Sequence, residues 1–427
     1  MDDTIFALSS APGKAGVAVV RVSGPSAFTA CEALAGRVPE PRRATLCVLR
    51  REEDVLDQAL VLSFEEGQSF TGEKVVEFQT HGSVATISAI CDALSAVPGC
   101  RPAEPGEFTR RALENDKLDL AQVEGLADLL NAETEAQRKL ALRSFSGELG
   151  RKCENWRAKL LRAMALVEVT IDFADEEVPE DVGPEVSDLL QSVISELNTE
   201  IDGVGASERI REGFEVAIVG APNVGKSTLL NRLAGREAAI TSSIAGTTRD
   251  VIEVRMDVHG LPVTFLDTAG LRESEDVIEG MGIDLARRRA READLRVFLI
   301  EKDIPDPELC EPEDIVVEAK CDKREVPSGI SGVTGEGVSE LIEKIGSILR
   351  SRTMGAGLAT RQRHRIAMTE GRDALLKARE SLINGSVPSE IVSEDIRRGI
   401  HRLDELVGRV DVEAILGEIF SSFCLGK

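Results

Sequence analysis

The chain has no tyrosine, one tryptophan and thirteen phenylalanines, so aromatic residues fill only 3% of its 427 positions. A protein that binds single-stranded nucleic acid by stacking bases along rings needs more than that. Positive charge is also scarce. Lys and Arg number 51 against 75 Asp and Glu, a formal charge of −24. This balance argues against autonomous nucleic-acid binding through a basic surface. A polyanionic substrate must instead meet a local positive site, a metal ion, a helix N-terminus or a partner. No run of about 18 uncharged apolar residues occurs, so no transmembrane helix and no stable membrane insertion are expected. The opening MDDTIFALSSAPGKAGVAVV lacks a basic stretch followed by an apolar one, which is not the pattern of a secretory signal. The eight cysteines form no C-x-x-C pair. Scattered thiols in a reducing cytoplasm are the expectation.

A hydrophobic fraction of 42% is enough for real cores, and the length suggests roughly three domains. Residues 1–118 mix short apolar strands (Val17–Val22, Ala59–Phe64 and Val75–Phe78) with a helical stretch over Ala85–Leu94, which reads as a small α+β domain. From Leu118 to Phe173 the apolar residues recur at helical spacing, with Gly147 and Gly150 as breaks. A further helix is expected from about Pro184 to Glu208. The pattern over 211–350 is β-loop-α. Residues 351–427 are helical again, over Arg361–Leu382 and Ser393–Phe423. The simplest architecture is an N-terminal α+β domain followed by a helical domain. The latter is split into 119–210 and 351–427 by an inserted α/β domain.

The strongest chemical signal is Gly220-Ala221-Pro222-Asn223-Val224-Gly225-Lys226-Ser227, which fits G-x-x-x-x-G-K-S. It follows the apolar strand FEVAIVG and precedes a helical stretch, the context this motif requires. The nucleotide-contacting stretch runs over Asn223, Val224, Gly225, Lys226, Ser227 and Thr228. Glycines let the backbone wrap phosphates, Lys226 reaches the β- and γ-phosphates, and the Ser227 hydroxyl serves Mg²⁺. Downstream, Asp267-Thr268-Ala269-Gly270 ends a second strand. Asp267 is suited to the Mg²⁺ hydration shell, and the Gly270 N–H to the γ-phosphate. Between them lies Ala245-Gly246-Thr247-Thr248-Arg249-Asp250, where Thr248 can complete the magnesium shell when triphosphate is present.

Together these motifs resemble the GTPase class of P-loop proteins. The base-recognition pattern of that class, Asn-Lys-x-Asp, corresponds here to Ala319-Lys320-Cys321-Asp322. Lys320 and the guanine-pairing Asp322 are kept, and the amide is lost. Losing one such contact costs about 1–2 kcal/mol, so weaker affinity with guanine preference intact is expected. Ser331-Gly332-Val333-Thr334-Gly335 resembles the last guanine-contacting loop, with glycine where the class usually has Ser-Ala.

Short motifs occur in order along the whole chain: Asp3-Thr4-Ile5, Pro12–Gly16, Arg21–Gly24, Thr71-Gly72-Glu73, Glu77, His81-Gly82, Pro105–Thr109, Lys117–Leu120, Arg361–His364 and the terminal Phe423-Cys424-Leu425-Gly426-Lys427. They carry a resemblance to the MnmE (TrmE) family of tRNA uridine-5-carboxymethylaminomethyl modification GTPases. It implies a homodimer formed through the N-terminal domain. It also implies a folate there, 5,10-methylenetetrahydrofolate or 5-formyltetrahydrofolate. The partner is the flavoprotein MnmG, which contributes much of the tRNA binding in a heterotetramer or larger complex. The implied activity is K⁺-dependent GTP hydrolysis coupled to adding an aminomethyl or carboxymethylaminomethyl group at C5 of the wobble uridine. K⁺ would be held by the Asn223 carboxamide oxygen and the carbonyls of Ser242, Ile244 and Thr247. No glutamine follows Asp267–Gly270, and Glu279 matches the family's catalytic glutamate. Arg21, Glu77, Lys117 and Lys427 match its folate site, and Cys424 is either a reactive thiol or a packed one. Two rival readings are a ribosome-assembly or translation GTPase without folate chemistry, and a GTP switch that does not hydrolyse.

Overall fold

The architecture comes from a computed structural model. The structure describes residues 3–172, 182–236, 238–240, 253–267, 287–301, 305, 307–323, 329–384, 387–410, 416, 419–420, 423 and 426. By contact the chain divides into two compact units, Met1–Ala127 with Asp404–Lys427, and Asp128–Leu403.

The first unit is built on a six-stranded sheet in the order β3-β4-β5-β2-β1-β6. The strands are β1 (Thr4–Leu8), β2 (Ala15–Ser23), β3 (Thr45–Arg51), β4 (Asp54–Phe64), β5 (Val75–Gly82) and β6 (Cys100–Pro102). The three strands expected from apolar runs are β2, β4 and β5. Alternation gives the sheet two different faces. Phe6, Val20, Val22, Val61, Val76 and Phe78 join helices Ala27–Ala35 and Val84–Ser95 in the larger core. Ile5 and Ala7 point the other way, onto Phe108 of helix Glu107–Glu114. The C-terminal segment belongs to this unit. Phe420 lies so close to Gly106 that a Cβ there would sit 2.7 Å from its ring. A Cβ at Gly426 would overlap the Leu8 carbonyl.

The second unit holds a five-stranded sheet in the order β11-β10-β7-β9-β8. Its strands are β7 (Phe214–Gly220), β8 (Glu253–Val258), β9 (Leu261–Asp267), β10 (Leu295–Ile300) and β11 (Ile315–Glu318). All neighbours run parallel except β8 against β9. Parallel strands are buried on both faces, which is why FEVAIVG and LRVFLI read as near-continuous apolar runs. The helical part of this unit contains Glu135–Phe145, Glu148–Asp172, Gly183–Glu212, Gln362–Asn384 and the start of Ser389–Val407. Helix Gly183–Glu212 precedes the sheet in sequence and Gln362–Asn384 follows it, yet the two pack together. Arg379 donates to Ser187 Oγ at 3.2 Å, and Ser207 Oγ donates to the Gly357 carbonyl at 3.0 Å. The expected fold class, an N-terminal domain plus a helical domain carrying an inserted Ras-like P-loop domain, is therefore borne out.

Two helix expectations need correction. Gly147 does break the chain, with φ 76°, but Gly150 lies inside helix Glu148–Asp172. The apolar face of Leu149, Cys153, Trp156 and Leu160 is fully or nearly fully buried and outweighs the roughly 1 kcal/mol that a helical glycine costs. The other break is at Thr134, whose side chain accepts from the Gln137 N–H while Gln137 reaches back to the Thr134 N–H, a capping box. Helix Ser389–Val407 stops at Gly408, which turns left-handed at φ 80°, so the expected Ser393–Phe423 stretch is broken there, and helical backbone is described again at Leu416, Ile419 and Phe420.

Candidate nucleotide site

The phosphate loop lies where β7 passes into helix Lys226–Ala234. Backbone geometry explains its composition. A Cβ at Gly220 would overlap the Leu299 carbonyl of neighbouring β10, so only glycine lets the loop leave the sheet there. Gly225 caps the helix with φ 114° and no side chain over its first N–H groups. Asn223 is also left-handed, at φ 61°, a conformation asparagine tolerates better than most residues. Val224 is buried in the sheet's core and anchors the loop, while Thr228 is exposed at the helix start.

Lys226 is 5% exposed, and its ammonium donates to the carbonyls of Gly220 at 2.7 Å and Ala221 at 3.0 Å. The same group thus stands at the mouth of the loop it curls. Ser227 Oγ donates to Asp267 Oδ2 at 2.8 Å. Two motifs 40 residues apart therefore meet, because β7 and β9 are parallel neighbours with Ile218 opposite Asp267. Among the described residues no group of three or more His, Cys, Asp or Glu is placed to hold a metal. One hydroxyl and one buried carboxylate do fit Mg²⁺, which keeps several waters and takes its other ligands from substrate phosphates.

The base-recognition segment follows β11. The Ala319 N–H donates to the Ile300 carbonyl at 2.8 Å, and its methyl is buried, so it offers the site no polar group. Lys320 has φ 59°, and its ammonium meets Glu301 Oε1 at 2.5 Å. Asp322 is exposed on the short turn Cys321–Lys323. Ser331 is buried, with its Oγ accepting from the Thr334 N–H at 3.1 Å, which shapes the neighbouring loop. That loop rests on the phosphate-binding helix: a Cβ at Gly332 would lie 2.8 Å from the Leu229 nitrogen. Glu301 and this Gly332 contact are absent from the sequence expectations. Placement directly after an apolar strand is the only signal Glu301 carries.

Arg21 and Glu77 face each other across β2 and β5 and are ion-paired at 2.9 Å. The Arg21 guanidinium lies 5.6 Å from the centroids of both Phe70 and Phe108. Lys117 donates to the Gly67 carbonyl at 2.9 Å, in the loop between β4 and β5. Thr248, Ser242, Ile244, Thr247, Gly270, Glu279, Cys424 and Lys427 lie outside the described residues.

Known proteins match the sequence along its full length. The family model for the GTP-binding protein TrmE N-terminus matches residues 4–117, and that for the MnmE helical domain matches residues 120–424. The chain belongs to the MnmE family. Proteins called "tRNA modification GTPase MnmE" from Cereibacter sphaeroides, Dinoroseobacter shibae and Roseobacter denitrificans are 58%, 60% and 58% identical. In each case 100% of both chains is covered. Among solved structures, the G domain of the T. maritima FeoB iron transporter is 26% identical and covers 31% of this chain and 97% of that one. Its TM-score is 0.22. No described helix is long and apolar enough to cross a membrane.

Proposed function

We propose that the chain hydrolyses GTP and couples hydrolysis to modification at C5 of the tRNA wobble uridine. The observation that carries this is the meeting of Lys226, Ser227 and Asp267 around one phosphate loop, in a chain alignable end to end with tRNA modification GTPases. Lys226 neutralises β- and γ-phosphate charge, and the exposed N-terminus of helix Lys226–Ala234 adds its dipole. Ser227 and Asp267 would hold Mg²⁺ and its water, with Thr248 as a further ligand. Asp322 reads the guanine edge, and Lys320 and Ser331 frame it. Gly270 offers its N–H to the γ-phosphate.

Hydrolysis needs positive charge between the β- and γ-phosphates and an oriented water. Asn223 and the carbonyls of Ser242, Ile244 and Thr247 would hold a K⁺, which would supply the former when bound. The left-handed Asn223, already turned out of the regular backbone path, supports its part in that reading. Glu279 orients the water.

The N-terminal domain holds a one-carbon folate near Arg21 and Glu77, with Lys117 and Lys427 as further contacts and Cys424 as either a reactive or a packed thiol beside it. Arg21 and Glu77 are each other's partner, so a ligand meets an ion pair between two rings rather than two separate charges. The chain works as a homodimer with MnmG, which carries much of the tRNA contact.

GTP turnover in K⁺ against Na⁺ tests the core of this reading. We expect a rate at least about tenfold higher in K⁺, from charge stabilisation in the transition state. Glu279→Ala should remove that stimulation. Equal slow rates in both salts would sink the potassium mechanism.

A further inference from the structure

We propose that Glu301 is a positioning residue of the guanine-nucleotide site, holding Lys320 in the conformation from which the base is framed. The inference rests on the reading of that site as a GTP site. Strands β10 and β11 are parallel and end at the same edge of the sheet as β7, whose Gly220 opens the phosphate loop. Glu301 is the first residue beyond β10. Lys320 is the second beyond β11, and the residue between strand and lysine is Ala319. The Ala319 N–H bond to the Ile300 carbonyl, 2.8 Å, locks the two strand ends side by side. Glu301 and Lys320 flank that bond, and their side chains close over it at 2.5 Å.

Three observations make this pair more than a chance surface contact. Lys320 is left-handed at φ 59°, which long side chains rarely adopt without a reason in their surroundings. Its side chain and that of Glu301 are 32% and 33% exposed, so the pair is partly shielded from water. Ala319 contributes only a buried methyl, so the segment has no amide of its own to anchor it. The turn that carries Asp322 begins at the next residue, where the Cys321 N–H donates to the Ile330 carbonyl at 3.3 Å. Fixing Lys320 therefore fixes the approach to Asp322. Glu301 itself need not touch the nucleotide.

The test is binding and turnover on the full chain. Dissociation constants for GDP and a slowly hydrolysed GTP analogue, and steady-state kcat and KM for GTP, are measured for the unaltered chain, Glu301→Ala, Glu301→Gln, Lys320→Ala and the double variant. A positioning role predicts that both Glu301 variants weaken GDP and GTP binding together, about two- to fivefold. Saturating kcat should hold, and ATP should remain excluded. It also predicts that Glu301→Ala adds nothing once Lys320 is alanine. Unchanged nucleotide affinity in Glu301→Ala, or fully additive losses in the double variant, would overturn the proposal. So would a lowered melting temperature with affinity intact, since that marks a contact which only stabilises the fold. If the unaltered chain itself failed to bind GTP, the reading of the site would fall first, an outcome visible before any variant is compared.

Discussion

Gly332 is the point at which the loop after Ser331 touches helix Lys226–Ala234. Its Cα side faces the backbone of the phosphate-binding helix, and a Cβ would sit 2.8 Å from the Leu229 nitrogen and 2.9 Å from the Thr228 carbonyl carbon. Neither atom belongs to a flexible side chain, so one loop must move to admit a methyl. The GTPase class usually has Ser-Ala here, and a substitution toward that pattern would ordinarily be expected to help. In this chain Gly332→Ala should instead weaken GDP and GTP binding by about 1–3 kcal/mol, the usual cost of overpacking a tight contact. Fluorescent-nucleotide titration measures it. Affinity equal to or tighter than the unaltered chain would mean the loop has slack the geometry does not show. Ser331 was found from its motif. The seating of Gly332 on residues a hundred positions earlier leaves no local trace in the sequence, because glycine at a turn looks the same whether it faces solvent or another backbone.

At the scale of elements, a continuous apolar run is legible in the sequence and a cap inside a long helical pattern is not. The strand FEVAIVG coincides with β7 because a buried parallel strand is apolar throughout. The break at Thr134 carries a capping box in its residues, but the helical periodicity on both sides masks it. Gln137 shows why this break matters. Its side-chain carbonyl accepts from the N–H groups of Glu133 and Thr134 at 3.0 and 3.1 Å, and its amide donates to the Arg211 carbonyl at 2.9 Å. Arg211 lies in the last turn of the helix that leads through Gly213 into β7. Gln137→Ala should cost about 1–2 kcal/mol, from a lost cap and an unpaired buried carbonyl. A lower urea midpoint at unchanged slope would confirm it, and an unchanged midpoint would refute it.

A second element-scale prediction concerns helix Glu107–Glu114. Burial by itself pushes the Glu107 carboxyl up. Arg101 at 2.5 Å, the Glu104 N–H at 2.8 Å and Arg111 at 3.0 Å more than reverse this, so it lies below its ordinary 4.5. A depressed carboxyl favours the folded state above the unfolded value. That contribution fades as pH falls below 4.5 and through the lowered value. Asp3, also held low, is bound by the same two arginines, so the start of β1 should loosen in the same range. Replacing Arg111 by alanine removes one of these stabilising charges and should move the acid transition to higher pH. Circular dichroism against pH reads the shift, and a transition that stayed in place would remove Arg111 from the account.

For the whole molecule, the charge of −24 sets how it can meet tRNA. On the proposed reading, the phosphate site would manage anionic charge locally, by the buried Lys226, a helix N-terminus and hard cations, and so would need no basic surface. A polynucleotide is different, because each neutralised phosphate requires a cation placed on the outside. Many of this chain's arginines are already committed to acidic partners, as Arg111 is to Asp3, Glu73 and Glu107, and Arg296 is to Asp314 and Glu311. Binding of tRNA to this chain alone should therefore be weak and only mildly salt-dependent. Each neutralised phosphate contributes a slope of about −0.9 in log affinity against log salt on duplex, and fewer than about three such contacts are expected. Addition of the flavoprotein partner should steepen the slope, since the new phosphate contacts come from the partner's surface. Filter binding across a salt series, with and without the partner, separates the two contributions. A slope of about −6 or steeper for the chain alone would mean that a basic face forms despite the global charge. The tRNA would then be held by this protein in its own right rather than through its complex.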